Sequence, residues 1–182
     1  MVAVAVCALG VSAAAATSTR TVIYRAYTSS GQPAITVTKT VHGSCFAASI
    51  AADRNDAWRC MSGNLIHDPC FSSTKAKGIV LCPAAAWKRS GIKIKLTAPL
   101  PKPPNKPKPS TAGRPWAIKT TSGLRCAALA GMAPVSGKHF GSYLCTDGEF
   151  LWDTPNRKTQ PWTIRIGKTK PSGKARVKLA WF

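Results

Sequence analysis

Asp68 and Asp153 each stand at a proline turn, Asp68-Pro69 and Asp153-Thr-Pro155, and are the one carboxylate pair in this chain whose placement suggests chemistry. Two carboxylates several ångströms apart, one with its pKa raised by burial, can hydrolyse a glycosidic bond. The same residues are also ordinary turn formers whose carboxylates bond nearby backbone amides, and that is the reading adopted. His42, His67 and His139 fall at no H-x-x-x-H or H-E-x-x-H spacing, and neither a G-x-S-x-G nor a phosphate-cradling glycine loop is present. The chain is therefore read as non-enzymatic, with no metal and no cofactor implied.

The cysteines carry a different chemistry. Residues 1–16, from Met1 to Ala16, hold no charge and end in small residues, the composition of a cleavable export signal, although a basic start is missing. Removing that leader takes Cys7 with it and leaves Cys45, Cys60, Cys70, Cys82, Cys126 and Cys145, an even set of the kind an oxidised exported protein carries. Structural zinc sites favour C-x2-4-C pairs, and no two of these six are that close. Paired as disulfides, they leave no thiol to act as nucleophile.

The cations are the third chemical resource. The formal net charge is +20, with 26 Lys and Arg against 6 Asp and Glu. Residues 69–146 carry thirteen cations and no acid, and residues 154–182 carry eight and no acid. A passive surface mixes signs, whereas a one-signed field draws polyanions. The candidate contact residues are Lys93, Lys95, Lys102, Lys106, Lys108, Arg114, Lys119, Arg165, Lys168, Lys170, Arg176 and Lys178.

The elements that must position these groups read as strands. Ile35-Thr-Val-Thr-Lys-Thr-Val41, Ile92-Lys-Ile-Lys-Leu96, Trp162-Thr-Ile-Arg-Ile166 and Val177-Lys-Leu-Ala-Trp-Phe182 all alternate, Gly78-Ile-Val-Leu-Cys82 reads as a short buried strand, and helical periodicity is nowhere sustained. Asp53-Arg-Asn-Asp56 resembles a short helix start with Asp53 as its cap. The dense prolines and lysines of residues 99–114 predict an extended, flexible cationic connector. It divides an N-terminal disulfide-rich β module, residues 17–98, from a C-terminal β module, residues 115–182. The predicted class is mainly β, built of small disulfide-stapled units.

The two halves share an order of features: a cysteine after a turn (Cys45, Cys126), then aromatic-x-Cys (Trp58-Arg-Cys60, Tyr143-Leu-Cys145), an Asp/Pro turn, and an alternating strand near a tryptophan. This internal repeat matches Cys45 and Cys60 to Cys126 and Cys145, which predicts the pairs 45–60 and 126–145 and leaves Cys70 with Cys82. Each staple contributes ~3 kcal/mol in the chain-entropy model. Of the tryptophans, Trp152 in the acidic island has the best claim to exposure, with core packing as the equal alternative, while the others pack around disulfides and strand starts.

Trp58-Arg-Cys-Met-Ser-Gly-Asn64, Asp68-Pro-Cys-Phe71, Val80-Leu-Cys-Pro83, Pro161-Trp-Thr-Ile164 and Ala180-Trp-Phe182 together resemble a group of uncharacterised exported proteins of actinobacteria. The resemblance covers residues 43–83 and 115–182, implies export and disulfides, and brings no activity.

Together these observations lead to an exported cationic β protein that associates with anionic cell-envelope polymers, binding nucleic acid only nonspecifically and without a membrane-spanning segment once the leader is cleaved. The alternative is an inhibitor or interaction module for a protein partner, with Met61, Leu65, Ile66 and Phe71 as apolar anchors in the loop from Cys45 to Cys82. A glycan-active enzyme using Asp68 and Asp153 is the other alternative.

Overall fold

Thirteen strands and no helix make up the computed structural model, which describes residues 18–102 and 105–182. The expected leader, residues 1–16 with Cys7, lies outside the described residues. The strands are β1 (Arg20–Val22), β2 (Thr36–Ala48), β3 (Ala57–Ser62), β4 (Leu65–Phe71), β5 (Ile79–Pro83), β6 (Ser90–Leu96), β7 (Ala117–Thr120), β8 (Arg125–Ala128), β9 (Val135–Ser136), β10 (His139–Cys145), β11 (Phe150–Asn156), β12 (Thr163–Gly167) and β13 (Gly173–Trp181).

Strands β2 to β6 run up and down and close into a barrel. With an odd number of strands the first and last must run the same way, and β2 indeed pairs with β6 in parallel, from Thr36↔Ser90 to Gly43↔Leu96. The second barrel closes through antiparallel pairs alone, in the order β7-β8-β10-β11-β12-β13-β7. Cys45 lies directly opposite Cys60 on β2 and β3, and Cys126 directly opposite Cys145 on β8 and β10. Both pairs form disulfides, as does Cys70 with Cys82 between β4 and β5, so all three expected pairings are made. The stapled strand pair thus recurs in both halves, while the strand number around it differs.

Alternation explains the cores. Val80 and Cys82 of β5 face into the first barrel beside Trp58, Cys60 and Ile94, whereas Leu81 between them faces out into a second buried cluster with Tyr24, Phe71, Trp116 and Trp181. In the same way Ala180 fills the second barrel with Ile118, Tyr143 and Leu151, and Trp181 enters the shared cluster. This outer cluster draws residues from both barrels, so a third apolar core fuses them. β1 precedes the first barrel in sequence but pairs in parallel with β13 of the second, and the segment after it supplies Tyr24, Ala26, Tyr27 and Ile35 to the seam.

Two expectations are corrected here. Asp53 to Asp56 is a turn, because Arg54 folds back on the Asp56 carboxylate at 2.6 Å and 2.7 Å and donates to the carbonyls of Tyr24 at 2.7 Å and Phe182 at 3.0 Å. That buried guanidinium also lies 4.8 Å from the centre of the Phe71 ring, so it pins the seam from both sides. The connector, expected to be flexible, is docked over residues 106–114. Lys106 donates to the Ser49 carbonyl at 2.6 Å and lies 3.5 Å from Asp53, Asn55 donates to the Pro107 carbonyl at 2.9 Å, and Arg114 donates to the Ile50 carbonyl at 2.8 Å. Arg157 stacks 4.7 Å from Trp162 and 5.2 Å from Phe182 while donating to the carbonyls of Thr111, Ala112 and Gly113. Proline removes the connector's own ladder donors, so its carbonyls accept from Asn55 and Arg157 while its Lys106 and Arg114 side chains donate to the first barrel.

Candidate anion-binding cleft

Strand register creates one concentration of charge that spacing along the chain conceals. Arg20 of β1 lies opposite Leu179 of β13, Leu179 opposite Lys119 of β7, and Lys119 opposite Arg125 of β8. Side chains directly opposite one another point to the same face. Three cations therefore line one row on the outside of the second barrel, with Leu179 among them. In the next row, Val22, Trp181 and Ala117 occupy the corresponding places and pack into the seam.

Where the seam ends, that cationic row forms one wall of a cavity of about 450 Å³. The first half supplies the opposite wall: Arg25, Ala34 and Ile35, with Ala86, Trp87, Lys88 and Arg89 from the β5–β6 loop. Thr36 donates to the Arg89 carbonyl at 2.8 Å and Ala84 to the Ser90 carbonyl at 2.9 Å, which fixes that loop. The Trp87 ring is half-exposed and sits 6.1 Å from the buried Trp181 ring. Tyr24 also lines the cavity, and its buried hydroxyl has no hydrogen-bond partner. Burial pushes the Tyr24 pKa up to about 12 against the opposing Arg54 charge, so the phenol stays protonated.

Six cations surround this cavity, and no carboxylate lines it. The ion pairs among the described residues join Arg54 to Asp56, Lys106 to Asp53 and Arg165 to Asp153, so none of the six is neutralised by the fold. Like charges directly opposite across strands, such as Lys119 and Arg125, repel. A bound anion would relieve that repulsion.

Of the twelve cations picked from sequence, only Lys119 lines the cleft. Lys106 and Arg114 hold the connector, and Arg165 lies 3.8 Å from Asp153. Lys93 is half-buried on β6, while Lys95, Lys102, Lys108, Lys168, Lys170, Arg176 and Lys178 are exposed and dispersed. Sequence reading missed Arg20, Arg25, Lys88, Arg89 and Arg125. Their convergence depends on β1 crossing to β13, which no local pattern announces.

The carboxylate pair is not assembled, since Asp68 and Asp153 lie in different barrels and share no cavity wall. Asp68 accepts from the Ser49 hydroxyl and from the Ile50 amide at 3.1 Å, and burial raises its pKa against those bonds. Asp153 accepts from the Phe140 amide at 3.2 Å and pairs with His139 Nδ1 at 2.6 Å. His67 likewise has a partner, its Nε2 lying 2.8 Å from the Ser62 hydroxyl. Among the described residues no group of three His, Cys, Asp or Glu could hold a metal.

Two further side chains are placed in the core. Trp152 is fully buried and donates its indole N–H to the Gly167 carbonyl at 2.9 Å. Phe71 is buried in the seam, whereas Met61, Leu65 and Ile66 are exposed, with Phe46 exposed nearby on β2. Comparison with known protein families, curated proteins and solved structures gives no match, so the cleft is read from its own geometry.

Proposed function

We propose that this is an exported, non-enzymatic protein that binds anionic polymers of the cell exterior in the cleft between its two barrels. The observation that carries the reading is the ring of six unneutralised cations around one carboxylate-free cavity. Three disulfides support an oxidising compartment, and no helix among the described residues is long and apolar enough to cross a membrane. The exposed cations elsewhere extend the field that draws a polyanion in.

Co-sedimentation with purified anionic envelope polymer across a salt titration tests this. Binding falls steeply as salt rises, and Lys119→Glu with Arg125→Glu abolishes it, while the same reversals at Lys168 and Lys170 in the exposed β12–β13 turn weaken it only modestly. No binding at low salt would sink the proposal. A second reading, capture of a protein partner, draws on the exposed Phe46, Met61, Leu65 and Ile66. It requires salt-resistant binding that Leu65→Ser with Ile66→Ser removes.

A further inference from the structure

The cleft's chemistry narrows the class of anion, and this step rests on the polyanion reading above. Its side chains are six cations, Trp87, Trp181 and Tyr24, and the aliphatic Val22, Ile23, Ala34, Ile35, Ala86 and Leu179. No Asp, Glu, Asn, Gln, Ser or Thr is among them. The wall therefore offers charged donors and apolar or aromatic surface, with the Tyr24 phenol as its one side-chain oxygen. A sulfated or phosphorylated glycan carries hydroxyl groups that are recognised through acceptors, and Tyr24 is the one side chain of this wall that supplies one. Its matching ligand presents acceptor oxygens on one side and flat faces without obligatory donors on the other.

Cation identity points the same way. Four of the six are arginines, Arg20, Arg25, Arg89 and Arg125, in a chain where lysines outnumber arginines. Guanidinium forks hold phosphate in two-point contacts and also stack on aromatic planes. Trp87 stands half-exposed among them.

We infer that the cleft binds single-stranded nucleic acid without sequence preference, its phosphates held by Arg20, Lys119, Arg125 and Arg89 and a base stacked on Trp87. A cationic groove with aromatic platforms is the general solution for unpaired strands, because every base has a stacking face. Asparagine, glutamine and carboxylate side chains, which read adenine and cytosine edges, are missing from the wall, and with its arginines engaged on phosphate no side chain is left to read guanine. A duplex keeps its bases stacked on each other and forgoes Trp87.

The test titrates the oxidised protein with oligodeoxythymidine of about 12 nucleotides, within the usual span of one such site, and with inorganic polyphosphate of equal charge. Tryptophan fluorescence and salt dependence are recorded for both. The expected result is binding of the oligonucleotide about tenfold tighter than polyphosphate, the effect of one stacked base, with quenching by the oligonucleotide alone. With those four cations on phosphate, log K falls with log salt at a slope of about −3. Trp87→Leu erases the preference by lowering oligonucleotide affinity to the level of polyphosphate, and Trp87→Phe retains part of it. Equal affinity for the two polymers, a preference that survives Trp87→Leu, or tighter binding of a sulfated glycan overturns the nucleic-acid inference while leaving the polyanion reading intact. Failure of every polyanion at low salt overturns both.

Discussion

His67 and Asp68 are neighbours on β4, and burial moves their pKa values in opposite directions. Desolvation lowers that of His67 and raises that of Asp68. For His67 the unfolded chain takes up its proton first as pH falls below ~6.5, so its contribution is present above that value and is lost as pH falls through the folded pKa. Asp68 behaves in reverse, contributing fully below ~3.8 and less as pH rises through its raised value. Between pH 7.5 and 5.5 the wild-type Tm is therefore expected to fall more than that of His67→Gln, as thermal melts of both proteins at several pH values will show. Identical profiles would mean that burial of His67 is not coupled to its charge. The turn role of Asp68 and Asp153 was legible because an Asp beside proline bonds amides close to it in space, as both do here to Ile50 and Phe140. The His139 contact was not, because it depends on the irregular pairing of β10 and β11 and on Asp153 adopting a φ of 63°. That left-handed backbone is uncommon outside glycine, though Asp tolerates it better than most.

At the level of elements, alternation and cysteine spacing carried most of the legible fold. The disulfide pairs could be read because a repeated cysteine order leaves a single consistent assignment, and each pair staples adjacent strands. Replacing Cys126 and Cys145 by alanine opens a loop with a sequence separation of 19 and is expected to lower stability by ~3 kcal/mol in urea unfolding. The connector was misread for an identifiable reason. Proline density forbids ladder pairing but says nothing of carbonyls that accept from elsewhere, and Arg157, distant in sequence, supplies donors to three of them. Arg157→Ala removes those bonds and the stack on Trp162 and Phe182 together, with an expected loss of ~2 kcal/mol. Arg157→Lys should not restore it, since an ammonium lacks the planar fork that stacks and spans several carbonyls. Full recovery with lysine would reduce the anchor to simple charge.

For the whole molecule, the seam and the cleft are two outcomes of one packing arrangement: where the outer faces of the barrels are apolar they fuse, and where the rows turn cationic they stay apart. Arg54, buried between Tyr24 and Phe182, closes the fused end. Arg54→Met strands two carbonyls and the Asp56 carboxylate and should cost ~3 kcal/mol, and calorimetry is expected to show one transition for the wild type and two for the variant as the barrels lose their common core. At the open end the charge works against the fold. Lys119 and Arg125 face each other on adjacent strands of a chain whose net charge is +20, with no acid beside them. Relieving one such repulsion is worth about 0.2–1 kcal/mol across a strand pair, and added salt screens it. The exposed Arg125 makes no side-chain bond within hydrogen-bonding distance among the described residues that a substitution would lose. Arg125→Gln is accordingly expected to raise the Tm of the free protein at low salt, to lose that advantage as salt rises, and to bind polyanions more weakly. A residue that merely keeps the surface soluble would show neither the gain nor the loss, and a fall in Tm on removing the charge would show that Arg125 serves the fold rather than a ligand.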